Sequence, residues 1–225
     1  MEERLTIQKL FDRCAASLVL VLISVPFLIV LAIKLLVDGR PIFYVSERIG
    51  LENRKIKVIK LRTMVDDQKF ISDLINMINP GGGFQRLDPK CVIYTKLGRV
   101  CEVTQLVEVP QLINVIKGEM ALVGNRPLPK EINQNLAERF GDELVDLRMA
   151  VLPGISGVSQ VIGKNELTDH ERLTVENKYV AFIQRHASYR CLMFNLVVIF
   201  ETIIQILSRG ALKPFRRYIR ASLDQ

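Results

Sequence analysis

Leu106-Val107-Glu108-Val109-Pro110-Gln111-Leu112-Ile113-Asn114-Val115-Ile116-Lys117-Gly118-Glu119-Met120 runs directly into Ala121-Leu122-Val123-Gly124-Asn125-Arg126-Pro127. An acidic residue opens this stretch, a short apolar run follows, and a Gly-Asn-Arg-Pro turn closes it. Thr104 stands where an N-cap belongs, so a helix is expected from about Gln105. The pattern reads as an acidic helix start feeding an arginine turn suited to phosphate.

Upstream, Asp38-Gly39-Arg40-Pro41 reads as a turn and Ile42-Phe43-Tyr44-Val45 as a strand. Ser46-Glu47-Arg48-Ile49-Gly50 reads as a second turn. Residues 56–64 alternate loosely, as a half-buried strand does. Lys55, Lys57, Lys60 and Arg62 cluster there; a solvated strand face and an anion-facing edge both fit. Residues 65–78 have a helical pattern. Asn79-Pro80-Gly81-Gly82-Gly83 is a loop without the Lys-Ser/Thr of a phosphate loop.

At the N-terminus, residues 14–33 carry no charge, close to the ~20 residues that cross a bilayer. Ser24 and Pro26 lie near the middle, where proline removes a backbone donor and kinks a helix. Basic residues flank both ends: Arg4, Lys9 and Arg13 before, Lys34 and Arg40 after. The positive-inside rule therefore gives no orientation. Two arrangements fit: a segment that enters, bends and leaves by the same face, or a kinked spanning helix.

Beyond Pro127, residues 129–149 read as one charged amphipathic helix and 153–164 as a glycine-punctuated turn and strand. Residues 168–182 are helical, with Asp169 and Glu171 in the first turn, where the dipole favours acids. Residues 191–207 are apolar but broken by Asn195, Glu201 and Gln205, the pattern of an interfacial or packed helix. A basic tail follows, with Arg209, Lys213, Arg216, Arg217 and Arg220; contact with anionic headgroups and simple solvation both account for it.

The 225 residues allow one domain with a core and appendages. Hydrophobic content is 49%, mean hydropathy is positive, and the net charge is +7. Nucleic acid, phosphorylated small molecules and anionic lipid all suit that charge, and the apolar content favours the last two. No aromatic-basic interleaving or groove-reading motif supports nucleic acid. Two histidines exclude a His-rich metal site, and Cys14, Cys91, Cys101 and Cys191 lack metal or disulfide spacing, which reads as a reducing setting.

Taken in order, the motifs resemble those of the bacterial sugar transferases, the monotopic phosphoglycosyl transferases. They are Lys9-Leu10-Phe11-Asp12 ahead of the Ser24/Pro26 segment, Pro41-Ile42-Phe43, Glu47-Arg48-Ile49-Gly50 and Lys60-Leu61-Arg62-Thr63-Met64. Leu97-Gly98-Arg99, the run from Pro110 to Met120, Val123-Gly124-Asn125-Arg126-Pro127, and Pro153-Gly154-Ile155-Ser156-Gly157 with Gln160 complete the set. The resemblance implies transfer of a sugar 1-phosphate from a nucleotide sugar, usually a UDP-sugar, to undecaprenyl phosphate in polysaccharide or glycan synthesis. It implies a covalent phosphosugar intermediate on an aspartate, magnesium on the diphosphate, and arginines on phosphate oxygens. It also implies a re-entrant membrane helix bent at Ser24–Pro26, and the main domain on the cytoplasmic face of the bacterial inner membrane.

The expected fold class is α/β, mostly helical with a small sheet. Residues 1–40 form the anchor, 41–207 the transferase-like domain with an interfacial C-terminal helix, and 208–225 the basic tail. Glu108 is the remaining catalytic acid and magnesium ligand; Arg126, Lys60, Arg62, Arg48 and Pro127 are the substrate-binding set. Membrane lipid, polyprenyl phosphate and nucleotide sugar are the expected partners, and the terminal amphipathic segments offer contacts to a second copy or a partner transferase. The departures bear on chemistry. Val107 stands at the nucleophile position, Glu102 where an arginine binds phosphate, Asn125 where the turn has a proline, and Leu192 where an aspartate is common; Glu176 retains an acid. The expected function is accordingly a transferase impaired at its nucleophile or a non-catalytic homologue that binds lipid phosphate, nucleotide sugar or a partner transferase.

Overall fold

The computed structural model describes residues 2–78, 91–163, 166–208 and 210–224. The Gly81–Gly83 loop, Lys164 and Arg209 lie outside the described residues. The described chain is mostly helical with two small sheets.

Helix α1 (Glu2–Asp38) has 37 residues, about 55 Å at 1.5 Å per residue. It is one continuous helix across Pro26, and the Ser24 hydroxyl donates to the Val21 carbonyl at 2.7 Å. One face is closed on the domain: Asp12, Ala16 and Lys34 are buried, and Leu20 and Ile23 pack beside Val58, Leu112 and Val115. The opposite face exposes Leu18, Val21, Leu22, Val25, Leu28, Ile29 and Leu36. Asp12 and Lys34 therefore sit against the protein, and the outer stripe from Leu18 to Ile29 is apolar.

Strands β1 (Phe43–Ile49) and β2 (Lys55–Leu61) form an antiparallel hairpin, pairing Phe43 with Leu61 and Ile49 with Lys55. Ser46-Glu47-Arg48-Ile49 is thus strand, not turn. The reversal falls later, in the 3₁₀ turn Leu51–Asn53, where Glu52 and Asn53 adopt φ of 52° and 61°. Helix α2 (Gln68–Ile78) follows, and α3 (Lys96–Val103) is capped by Thr95, whose hydroxyl accepts from the Gly98 amide at 2.9 Å. Thr104 ends α3 rather than starting a helix. Gln105 turns the chain left-handed at φ 60°, and residues Leu106–Gln111 continue as a 3₁₀ segment. Helix α4 (Leu112–Lys117) then leads to β3 (Ala121–Val123).

The expected long helix over 129–149 is two helices, α5 (Lys130–Phe140) and α6 (Asp142–Leu147). Gly141, at φ 92°, breaks them apart, a conformation open to glycine and strained for other residues. Strand β4 (Gly154–Ser156) pairs in parallel with β3. The two backbones meet so closely that a Cβ on Gly154 would lie 2.0 Å from the Gly124 amide nitrogen, so glycine is required there. Residues after Gly157 form a helix, α7 (Val158–Gly163), in place of further strand.

Helix α8 (Asp169–Arg185) starts in a capping box between Thr168 and Glu171. Helix α9 (Ser188–Leu207) turns Asn195 and Glu201 inward with Phe194 and Val198, while Met193, Phe200, Ile203 and Leu207 face out. The polar residues that break its sequence are therefore core-facing. Asn195 accepts from the Tyr179 hydroxyl at 3.1 Å, and Glu201 accepts from Gln205 at 2.7 Å and from the Phe215 amide at 3.0 Å. The basic tail carries an eight-residue helix of its own, α10 (Arg216–Leu223), whose Ile219 and Leu223 enter the main core beside Val180 and Phe194. α1 and α9 are the two described helices long and apolar enough to cross a membrane.

Candidate functional site

The 3₁₀ segment Leu106–Gln111 decides which side chains reach the site. Three residues per turn separate neighbours by about 120°. Val107 goes inward and is 4% exposed, whereas Glu108 reaches a site shared with β2 and the Gly-Asn-Arg-Pro turn. There, Arg126 Nη2 lies 3.0 Å and Lys60 Nζ 3.6 Å from Glu108 Oε1. Gln111 Nε2 donates to Oε2. The β register explains a third cation. Tyr44 pairs with Lys60 and Arg48 with Ile56, so Arg48 and Lys60 share a sheet face. Arg48 lies close enough to feel both Arg126 and Glu108.

Burial opposes ionisation of Glu108, but the charges of Arg126 and Lys60 prevail and hold its carboxyl down at about 2. Burial lowers Lys60 to about 8; Glu108 resists this, while Arg126 and Arg48 reinforce it. Burial and the neighbouring Arg126 also lower Arg48. Arg126 is raised, chiefly by Glu108. The cluster is thus three cations around one ionised carboxylate. Glu102 contributes charge from further off, and its Oε1 accepts from the Thr63 hydroxyl at 3.0 Å.

A second ion pair fixes the turn. Arg148 Nε donates to Glu176 Oε2 at 2.7 Å, Nη1 to Asn133 Oδ1 at 3.3 Å and Nη2 to the Arg126 carbonyl at 2.7 Å. Ser159 donates to the other Glu176 oxygen at 2.9 Å. Asn125 turns its amide onto the Arg148 carbonyl at 2.8 Å. Asn125 therefore ties the turn to this network.

The structure brings Lys60, Arg48, Glu108 and Arg126 together. Pro127 is buried and borders a small cleft with Arg126, Ile49 and Arg148. Arg62 goes elsewhere: it donates to the carbonyls of Pro41 and Asp38, both at 2.6 Å, and of Gly39 at 3.2 Å, closing the C-terminal end of α1. Sequence reading missed Gln111 and Arg148. Gln111 meets Glu108 within one 3₁₀ segment, a contact that a helix periodicity does not pick out, and Arg148 has its partner 28 positions away on α8.

Magnesium does not fit the residues present. Among the described residues, no three His, Cys, Asp or Glu side chains group to hold a metal. Val107 offers no ligand, and both Glu108 oxygens already face donors.

Beside Glu108 opens a cavity of about 610 Å³. Val19 and Ile23 of α1 and Ile203 and Ile206 of α9 form apolar walls, and Gln105, Ser156, Gln160 and Thr202 supply polar groups. The two apolar helices therefore share a cavity that borders the charged cluster.

The model of the family described as bacterial sugar transferase matches residues 3–209. The chain belongs to the bacterial sugar transferase family. It is 31% identical over 209 residues to the exopolysaccharide production protein ExoY of Rhizobium meliloti, an alignment covering 89% of this chain and 86% of that one. It is 33% identical over 181 residues to the undecaprenyl-phosphate galactose phosphotransferase of Salmonella typhimurium, covering 77% of this chain and 36% of the relative. With the undecaprenyl-phosphate glucose phosphotransferase of Komagataeibacter xylinus the identity is 32% over 209 residues, covering 91% and 36%. These relatives and the two apolar helices point to a membrane location.

Proposed function

We propose that this sugar transferase homologue is a membrane-bound protein that binds the phosphates of a polyprenyl phosphate or a nucleotide sugar without transferring the sugar phosphate. The carrying observation is the pairing of a buried Val107 at the nucleophile position with an intact Lys60–Arg48–Arg126 cluster. A valine side chain has no lone pair to attack phosphorus. The cations, by contrast, suit phosphate oxygens, and arginine can hold two at once. The apolar cavity supports a lipid chain reaching the same place.

The membrane arrangement follows from the two ends of α1. Near one end the Leu122 amide donates to Asp12 at 3.4 Å and Arg13 donates to the Lys117 carbonyl at 3.2 Å. Near the other, Thr95 donates to Asp38 at 2.8 Å and Arg62 donates to the Asp38 carbonyl at 2.6 Å. One domain holds both ends, which supports a segment that stays on one face of the membrane, with α1 continuing unbroken through Ser24–Pro26 in place of the expected bend. Four free cysteines fit a reducing compartment and support the cytoplasmic face.

A second reading has Glu108 itself as nucleophile, favoured by its ionised state and its place on the cavity wall. One assay decides. The protein in nanodiscs is given undecaprenyl phosphate, a panel of UDP-sugars and magnesium, and UMP release is measured. The expected result is no release above Glu108→Ala, with undecaprenyl phosphate still bound. Release that disappears in Glu108→Ala establishes the second reading. In Val107→Asp/Glu102→Arg, UMP release is expected to appear.

A further inference from the structure

The Glu108 carboxylate has an unusual set of neighbours for a group expected to meet a metal. Its Oε1 faces Arg126 and Lys60 together, at 3.0 and 3.6 Å, and its Oε2 takes the Gln111 amide. A dication placed on either oxygen meets these positive groups at once. The neighbouring Val107 is apolar and buried, and Glu102 is engaged with Thr63. Among the described residues, no second carboxylate is poised to share a metal.

The same neighbours describe an anion site that holds its own anion. The cations bracket one carboxylate, and all three groups remain reachable: the side chains of Glu108, Lys60 and Arg126 are 13%, 19% and 32% exposed. A phosphate offers more oxygens and more charge than a carboxylate, and can bridge Arg126 and Lys60 while Arg48 adds attraction from the same sheet face.

We propose that Glu108 is an internal counter-anion, displaced from Arg126 and Lys60 by an incoming phosphate that binds without a divalent cation. The proposal rests on reading this cluster as a phosphate site. It adds that Glu108 competes with the ligand instead of coordinating a metal for it. The ligand class is a phosphate monoester or diphosphate, from a nucleotide sugar or a polyprenyl phosphate.

The two roles of Glu108 predict opposite signs. Pyrophosphate is titrated into the full chain in detergent by calorimetry, once with EDTA and once with magnesium. Binding is expected in EDTA and is not expected to tighten with magnesium, which complexes free pyrophosphate. Glu108→Gln is expected to tighten it about tenfold. The glutamine carbonyl still accepts from Arg126, so the site keeps its shape while the competing charge goes. Lys60→Gln is expected to weaken binding about tenfold in EDTA. Tighter binding with magnesium, or weaker binding in a folded Glu108→Gln, overturns the counter-anion role while leaving the phosphate site standing. No binding in either condition overturns both. UDP and undecaprenyl phosphate, added as competitors, identify the source of the phosphate, and competition by neither overturns the proposal.

Discussion

Two clusters of ionic groups lie on either side of Arg126, and they are built on opposite terms. The Arg148–Glu176 pair is sealed, at 2% and 0% exposure, and both carboxylate oxygens have donors. Each charge meets its partner at hydrogen-bond distance, and the buried Arg172 lies close enough to feel Glu176 as well. The Glu108 cluster borders a cavity and sets Lys60, Arg48 and Arg126 against one carboxylate. The two meet at a single residue: Arg148 holds the Arg126 backbone, and Arg126 turns its guanidinium to Glu108. The difference separates tasks. A saturated pair fixes geometry, and an unsaturated one retains attraction for something not in the chain.

Breaking the saturated pair has the largest expected effect. Glu176→Leu strands Arg148 in the core, and loss of one partner of a buried pair costs about 3–5 kcal/mol. Denaturant unfolding in detergent is the measurement. The double change Arg148→Met/Glu176→Leu should cost clearly less than the sum of the singles. Losses near zero for either single change would show that water reaches the pair.

The unsaturated cluster should respond in the opposite way. Arg126→Gln removes a cation from a half-open site, so phosphate affinity is expected to fall about tenfold while stability changes by about 1 kcal/mol or less. Calorimetric titration with pyrophosphate and a melting curve on the same sample separate the two. A large stability loss with unchanged affinity would make the cluster structural and erase the contrast.

How far the sequence discloses this contrast depends on chain distance. Glu108, Lys60, Arg48 and Arg126 stand out because each sits inside a short motif, and the sheet register then groups them. Arg62 belongs to the same motif as Lys60, yet a strand ending at Leu61 releases it to the carbonyls closing α1. That outcome depends on where the strand stops, which local pattern does not fix. Arg148 sits in an unremarkable charged stretch and gains meaning once α8 brings Glu176 to it. The mostly helical fold and the apolar segments were legible from hydropathy and periodicity. The expected helix start at Thr104 failed because Gln105 takes a left-handed turn, and that turn aims Glu108.

The next effect is a pH dependence confined to the unsaturated side. Lys60, lowered to about 8 by burial, loses its proton near physiological pH. Phosphate affinity is expected to fall severalfold between pH 7 and 9, and the dependence should vanish in Lys60→Arg. Bound phosphate raises the Lys60 value, so the midpoint should move upward as ligand is added. Stability runs separately. Because the folded Lys60 value lies below its ordinary 10.5, proton release favours the folded state as pH rises from about 8 toward 10.5. Glu108 contributes stability above about 4.5, and that contribution is lost as pH falls toward 2. A flat affinity profile from pH 7 to 9 would remove Lys60 from the phosphate site.

The smallest effect tests whether burial, and not mere pairing, separates the two clusters. Lys178 and Asp224 form a third ion pair at 2.5 Å, with side chains 47% and 59% exposed. By distance it is tighter than the 2.7 Å Arg148–Glu176 pair. Water solvates both partners, and salt screens what attraction remains. Lys178→Gln should therefore cost under about 1 kcal/mol, with a difference that shrinks further at high salt. If distance alone set the energy, this substitution would rival Glu176→Leu in the same unfolding experiment. A cost near zero beside several kcal/mol in the core assigns the stabilising role of Arg148–Glu176 to its sealed surroundings. The same reasoning explains why the half-open Glu108 cluster can give up its carboxylate to a ligand without unfolding the chain.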